Sequence, residues 1–163
     1  MSDALQTHET SSWSAGILCP GQGGGRNSDI KMLDDQSEAD RRPRRVIIVE
    51  DEIFVALHLE TILQDLGFEV CEIIATGREA LDFALRIQPD IIFMDINLRG
   101  DIDGIEAARL IREQTGIPVV FVTAYGDEAT LKRVEAVAPD APVLQKPAMT
   151  QALVAAISKV MGS

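Results

Sequence analysis

Cysteine is scarce in this chain, whose 163 residues include only Cys19 and Cys71. Two thiols so far apart in the sequence make neither a metal-ligand cluster nor a disulfide framework. Cys71 lies in a segment that is typical of a buried strand. We therefore predict that both cysteines are reduced, as in a cytoplasmic protein.

Positive charge is also in deficit, with 15 Lys and Arg against 26 Asp and Glu and a formal net charge of -11. A nucleic-acid backbone must be met by clustered basic side chains. An acidic surface is likewise repelled by anionic lipid headgroups. The charge balance therefore argues against nucleic acid and against a membrane as partners.

Long apolar runs are missing too. None approaches the roughly 20 residues that a transmembrane helix needs. The stretch from Ala15 to Cys19 is too short for the apolar region of a secretory leader and has no basic segment before it. These absences also favour a cytoplasmic location.

The first 44 residues differ in composition from the rest. They are rich in Ser, Thr, Asp and Gln, contain the flexible segment Gly21 to Gly25, and sustain no hydrophobic period. We predict a disordered N-terminal extension over 1–44. The remaining residues, 45–163, are enough for one domain with a substantial core.

From Val46 onward, short apolar runs alternate with segments of helical period. We predict strands over 46–49, 69–75, 91–95, 119–123 and 143–144. The predicted helices follow them, over about 55–66, 77–87, 104–114, 127–137 and 149–161. In the first helix, the inward stripe is predicted to be Val55, Leu59, Ile62 and Leu66.

This alternation predicts an α/β fold. Parallel strands need crossover connections, which are right-handed, so the helices cover both faces of the sheet. We predict a doubly wound, five-stranded parallel sheet of order 2-1-3-4-5, the flavodoxin-like arrangement. Ligands of such sheets bind at the carboxyl ends of the strands.

Polar side chains stand at the predicted carboxyl end of four strands: Glu50 with Asp51, then Asp95, Thr123 and Lys146. Carboxylates crowded together favour a bound cation, and oxygen ligands suit Mg²⁺. A lysine and a hydroxyl beside them suit phosphoryl chemistry, with Asp95 as the attacking group.

Residues 45–163 resemble the receiver domain of bacterial two-component response regulators. The resemblance is carried by motifs at the four strand ends: Val49-Glu50-Asp51-Glu52, Phe93-Met94-Asp95-Ile96-Asn97 with Asp103-Gly104, Val122-Thr123-Ala124, and Gln145-Lys146-Pro147. It implies that Asp95 accepts a phosphoryl group from a sensor histidine kinase.

The resemblance also implies roles for the neighbouring residues. Asp51, Asp95 and the backbone carbonyl of Asn97 would bind Mg²⁺ directly, and Glu50 would reach it through water. Thr123 would act as the activating switch, and Lys146 would contact the phosphoryl group. The Lys146-Pro147 peptide bond is expected to be cis.

Two departures from the receiver pattern concern the switch and the loop after Asp95. Val143 stands where receivers usually carry a switching Tyr or Phe, and the loop, with Arg99-Gly100, is about one residue longer than usual and lacks proline. Tyr125 could substitute for the aromatic residue. The segment Pro118 to Gly126 resembles the signature of the FAT GUY receivers, whose kinases often belong to the HWE family.

The resemblance implies a stand-alone response regulator in a phosphorelay, without enzymatic activity beyond phosphorylation and dephosphorylation of its own Asp95. Its output would be protein contacts through the fourth helix, fifth strand and fifth helix, or transfer of phosphate to a phosphotransfer protein. It would be a monomer or a phosphorylation-dependent dimer.

Two other functions remain open from the sequence. One is a receiver-like binding module that is never phosphorylated. The other is an aspartate-nucleophile phosphatase of the haloacid-dehalogenase kind. That chemistry needs a second Asp two residues after the nucleophile, where this chain has Asn97.

Overall fold

The structure, a computed structural model, describes residues 42–162. Nearly all of the predicted N-terminal extension, residues 1–41, lies outside the described residues. Strands and helices alternate strictly: β1 (Arg45–Val49), α1 (Ile53–Asp65), β2 (Glu69–Ile74), α2 (Gly77–Ile87), β3 (Ile91–Asp95), α3 (Gly104–Thr115), β4 (Val119–Thr123), α4 (Glu128–Val137), β5 (Val143–Gln145) and α5 (Thr150–Met161).

The five strands form one parallel sheet of order β2-β1-β3-β4-β5, which confirms the predicted fold. The central strands β1, β3 and β4 are buried, apart from the partly buried Arg45 at the start of β1. Their registers bring Val49 beside Met94 and Asp95 beside Val122. The carboxyl ends of β1, β3 and β4 are therefore level with one another.

The core lies in two layers, one on each face of the sheet. Side chains of a strand alternate between faces, so Ile92 and Met94 enter one cluster while Ile91 and Phe93 enter the other. The first cluster includes residues of α2, α3 and α4, and the second includes residues of α1 and α5. A strand buried on both faces explains the continuous apolar run before Asp95.

The predicted inward stripe of α1 was only partly right. The buried residues of α1 are Ala56, Leu59 and Leu63. Leu59 was predicted correctly, but Ala56 and Leu63 are buried where Val55 and Ile62 were predicted, so the stripe lies one residue further along the chain at these two places. The flanking residues, which are partly buried, are Val55, Ile62 and Leu66.

One further burial prediction needs correction. Cys71 is partly exposed because β2 is an edge strand of the sheet, with only β1 as its neighbour. Within residues 42–162, every helix is too short or too polar to cross a bilayer.

Candidate functional site

The predicted site residues meet at the carboxyl edge of the sheet. Glu50 and Asp51 follow β1, Asp95 is the last residue of β3, Thr123 is the last residue of β4, and Lys146 follows β5. Parallel strands all end at the same edge, so four separate segments of the chain contribute to one place. The site thus depends on the whole sheet being formed.

Three carboxylates lie together at this edge. Glu50, Asp51 and Asp95 each offer an oxygen within 4.8 Å of the others. Glu50 and Asp95 are buried, and Asp51 is partly buried. An all-oxygen set with an open side is the donor chemistry of a hard divalent cation such as Mg²⁺. These three residues are therefore suited to hold a metal ion.

Lys146 is the cation that the fold itself places among the carboxylates. Its Nζ lies 2.5 Å from Oε2 of Glu50 and 2.9 Å from Oδ2 of Asp95. Its backbone N–H donates to the carbonyl oxygen of Thr123 at 2.9 Å, which aligns the segment after β5 with the end of β4. The following Lys146-Pro147 bond is cis, as predicted.

The three carboxylates of the site outnumber the positive charge that Lys146 supplies. Burial raises the pKa of Glu50, the neighbouring Asp95 charge adds to this rise, and the hydrogen bond from Lys146 opposes it. Burial alone would lower the pKa of Lys146, but its hydrogen bonds to Glu50 and Asp95 raise it above its usual value. Lys146 thus stays protonated and is shared by two buried carboxylates, which leaves room for a further positive charge.

The backbone of Asp95 is fixed by the start of α3. The N–H of Gly104 donates to the carbonyl oxygen of Ile96 at 3.0 Å. A Cβ at position 104 would lie 1.8 Å from the carbonyl oxygen of Asp95, so only glycine permits this approach. The side chain of Asp103 accepts a hydrogen bond from the N–H of Glu106 and caps the helix.

Thr123 lies at the site, but its hydroxyl is engaged with the loop that follows. Oγ1 of Thr123 donates to the carbonyl oxygen of Tyr125 at 3.1 Å and accepts from the Tyr125 N–H at 3.2 Å. The hydroxyl is fully buried, whereas Tyr125 is 74% exposed. The threonine therefore holds the backbone of Tyr125, while the tyrosine ring projects outward.

Asn97 and Val143 complete the predicted set. The backbone N–H of Asn97 donates to Oδ1 of Asp95 at 3.1 Å. With Lys146 on Oδ2, both oxygens of Asp95 are thereby held. Val143 is partly buried and packs against the α2, α3 and α4 side of the core.

Sequence reasoning missed two features around the site. One is an ion pair between Nε of Arg99 and Oδ2 of Asp51, at 3.0 Å. The other is a set of exposed large apolar side chains on α1, on α5 and directly before α5, called here the α1–α5 patch: Ile53, Phe54, Leu57, Met149 and Val154. The clue to the patch was the presence of large apolar residues on outward positions of α1.

The chain is similar to known receivers in sequence and structure. The sequence profile of the response regulator receiver domain matches residues 46–158. The protein-glutamate methylesterase/protein-glutamine glutaminase of Archaeoglobus fulgidus is 37% identical over 92 residues, 56% of this chain and 26% of that protein. The transcriptional regulatory protein PdtaR of Mycobacterium tuberculosis is 34% identical over 91 residues, 56% of this chain and 44% of that protein.

Among solved structures, the signal receiver domain of the modulated diguanylate cyclase from Desulfovibrio desulfuricans G20 superimposes with a TM-score of 0.68 and 31% identity. The match covers 75% of this chain and 100% of that one. The chain spans less than half the length of the two curated relatives, so the likeness concerns their receiver part. With the matching profile, sheet order and carboxylate site together, the chain belongs to the response regulator receiver domain family of two-component signalling.

Proposed function

We propose that Asp95 accepts a phosphoryl group from the phosphohistidine of a sensor histidine kinase, with Mg²⁺ held by Asp51, Asp95 and the carbonyl of Asn97. Glu50 would contact the ion through water. The observation that carries the proposal is the placement of Lys146 on both Glu50 and Asp95, within a cluster of three carboxylates.

In the transfer step, an oxygen of Asp95 forms a bond to phosphorus while the bond from phosphorus to the histidine nitrogen breaks. The electron pair of that bond leaves with the imidazole. Catalysis here is mainly positioning and charge stabilisation. Asn97 and Lys146 hold the two oxygens of Asp95, and Lys146 can move from the carboxylate to an oxygen of the phosphoryl group.

The bound Mg²⁺ would neutralise charge on the phosphoryl oxygens. The three carboxylates serve its binding in two ways. They supply the oxygen ligands, and their uncompensated negative charge favours a dication over solvent. Burial raises the pKa of Glu50, and the neighbouring charge of Asp95 adds to this rise.

Thr123 would act as the switch. To donate to a phosphoryl oxygen, its hydroxyl must leave the Tyr125 carbonyl, and the bond that it accepts from the Tyr125 N–H is then weakened or lost. Phosphorylation would thereby release the segment between β4 and α4. A ligand that favours one of two local arrangements shifts their populations, which is how a small change at the site reaches the surface.

The kinase or phosphotransfer protein would dock on the α1–α5 patch. Its member Phe54 lies beside the site, because it lines a groove of about 410 Å³ that is also lined by Lys146 and Ala148. Phe54 is 79% exposed, and exposed apolar clusters of this kind mark protein contacts. A partner that carries a phosphohistidine must reach Asp95 from such a neighbouring surface.

The finer proposals concern output. The chain would act as a stand-alone regulator or phosphate shuttle, with 1–44 as an extension and 45–163 as the receiver. Its output face would be α4, β5 and α5, since Thr123 and Lys146 border them. The match of Pro118, Phe121, Thr123 and Tyr125 to the FAT GUY signature supports a kinase of the HWE family.

Intact-mass spectrometry tests the central proposal. The purified protein is incubated with a small-molecule phosphodonor, with and without Mg²⁺, beside the variant Asp95→Asn. We expect one phosphoryl adduct on the wild type that requires both Mg²⁺ and Asp95. If no adduct forms, even with phosphorylated histidine kinases as donors, the chain is a receiver-like binding module instead.

A further inference from the structure

The ion pair between Arg99 and Asp51 places a second cation at the carboxylate site. Nε of Arg99 lies 3.0 Å from Oδ2 of Asp51, and Asp51 would be a direct ligand of Mg²⁺. The two cations differ in setting: the Lys146 side chain is 12% exposed, whereas the Arg99 side chain is 92% exposed. Lys146 is built into the site, but Arg99 reaches it from solvent.

The loop that carries Arg99 is held in place along its length. It begins at the buried Asp95 and ends at Gly104, whose backbone packs against Asp95. Between them Leu98 is buried and Asp101 pairs with Arg78. The Arg99 side chain is almost fully exposed, so its guanidinium can leave Asp51 by side-chain rotation alone, without disturbing Asp95.

A guanidinium and a dication on the same carboxylate repel each other, and the exposed Arg99 lacks the buried contacts that hold Lys146 on Asp95. The guanidinium and the dication are both positive, and a metal ion on Asp51 would lie within a few ångströms of the Arg99 charge. The repulsion between them is strong at that range, even in a partly solvated site. An exposed ion pair is weak, so the arginine is the cation that leaves.

We infer that Arg99 is an internal competitor for the metal site: its guanidinium pairs with Asp51 in the metal-free protein and is displaced when Mg²⁺ binds. The inference rests on the proposed function, because it concerns the Mg²⁺ that Asp51 would hold. Arg99 thereby lowers metal affinity, and metal binding frees a positive charge at the mouth of the site. That free charge is placed to meet the phosphoryl group or an acidic partner surface.

Metal titration of the unphosphorylated protein tests the inference. Mn²⁺ replaces Mg²⁺ as a paramagnetic probe, and the free ion is counted by electron paramagnetic resonance. The variant is Arg99→Gln. The matched control is Arg78→Gln, which removes the same charge from an exposed ion pair with Asp101 in the same loop. We expect Arg99→Gln to bind Mn²⁺ about two- to fivefold more tightly, as loss of an exposed ion pair implies, and Arg78→Gln to match the wild type.

Nuclear magnetic resonance of the arginine side chains follows the displacement directly. Saturation with Mg²⁺ should move the Nε–H resonance of Arg99 to the position that it has in Asp51→Asn, where the pair is absent. The Arg78 resonance should stay in place.

The outcomes separate the two proposals. If wild type and variants all fail to bind Mn²⁺, the proposed metal site itself is wrong. If all bind it equally, or if the Arg99 resonance does not respond to Mg²⁺, the metal site stands and the competition is overturned. Equal gains in Arg99→Gln and Arg78→Gln would also overturn it, because they would reflect overall charge alone.

Discussion

At the residue scale, the side chain that holds the site together is Lys146. It contacts two buried carboxylates that would otherwise repel each other across the end of the sheet. Removing one partner of a buried ion pair leaves the other charge without compensation, which costs more than the pair itself contributes. Lys146 is thus as much a structural residue as a chemical one.

We therefore expect Lys146→Gln to lower the free energy of unfolding by about 2–3 kcal/mol in the presence of a chelator. Mg²⁺ should restore part of this loss, because it supplies the missing positive charge. Urea unfolding monitored by circular dichroism measures both effects.

Two variants control that measurement. Lys159→Gln removes an exposed lysine of α5 and should unfold like the wild type. The double variant Glu50→Gln with Lys146→Gln should recover much of the lost stability, since it removes one of the two buried charges. Equal stability of Lys146→Gln and Lys159→Gln would show that the carboxylates do not depend on Lys146.

The backbone and the ring of Tyr125 differ in their contacts. Its backbone bonds Thr123, while its exposed ring is free to cover the site. Tyr125→Ala removes the ring and keeps both hydrogen bonds, so it isolates the role of the side chain.

We expect Tyr125→Ala to shorten the lifetime of phospho-Asp95 severalfold, because water then reaches the phosphoryl group more easily. The decay of the phosphoryl adduct by mass spectrometry measures it. Tyr125→Phe should keep the wild-type lifetime. If neither the lifetime nor partner binding changes in Tyr125→Ala, the ring does not substitute for the aromatic residue missing at Val143.

At the scale of elements, the first residue of α3 fixes the last residue of β3. Gly104 brings the helix start against the backbone of Asp95, and the cap on Asp103 holds that start in place. Asp103 also pairs with Arg133 of α4, so the same short segment joins the site to the proposed output helix. The segment Asp103-Gly104 thus contacts β3, begins α3 and is joined to α4.

We expect Gly104→Ala to destabilise the protein by about 2 kcal/mol or more, because backbone atoms cannot yield as a flexible side chain can. It should also slow phosphorylation in folded protein, since Asp95 is displaced. Thermal unfolding and adduct formation measure the two effects. Gly126→Ala is the control, as the nearest atom to a Cβ there, Nε2 of Gln145, lies at 3.8 Å. Wild-type behaviour of Gly104→Ala would contradict the close approach.

The elements also show what the sequence could predict. The apolar runs and their spacing were enough to predict all ten elements, and the polar residues that end the strands were enough to predict that Asp95 and its neighbours lie together. The α1 stripe was misplaced because apolar residues stand at both 55 and 56 and at both 62 and 63, so a helical period alone does not choose between them. The Arg99 contact was not predictable, because it depends on the path of an irregular loop rather than on a period.

At the scale of the whole molecule, the two ends of the sheet are held by different charge arrangements. At the end opposite the site, Asp90 accepts from the backbone N–H of Arg45 at 2.7 Å and from both terminal nitrogens of Arg42. Burial alone would raise the pKa of Asp90, but these donors hold it below its usual value. This cluster joins the start of β1 to the turn before β3.

The lowered pKa of Asp90 determines the sign with which stability depends on pH. Asp90 stabilises the fold above its unfolded-state pKa of about 4, and this contribution is lost as pH falls through the lower folded-state pKa. We expect Asp90→Asn to lower the free energy of unfolding by about 1–2 kcal/mol at pH 7 and by progressively less below pH 4. Urea unfolding across pH measures it, with Asp140→Asn, at an exposed site, as the control. A cost that does not change with pH would refute the charge contribution.

The open edge formed by β2 has a consequence for how copies of this protein meet. An unpaired strand edge is a template for another strand. Here it carries the exposed carboxylates of Glu69 and Glu72. Pairing of two such edges would bring the glutamates of two copies close together, so mutual repulsion resists strand-by-strand aggregation.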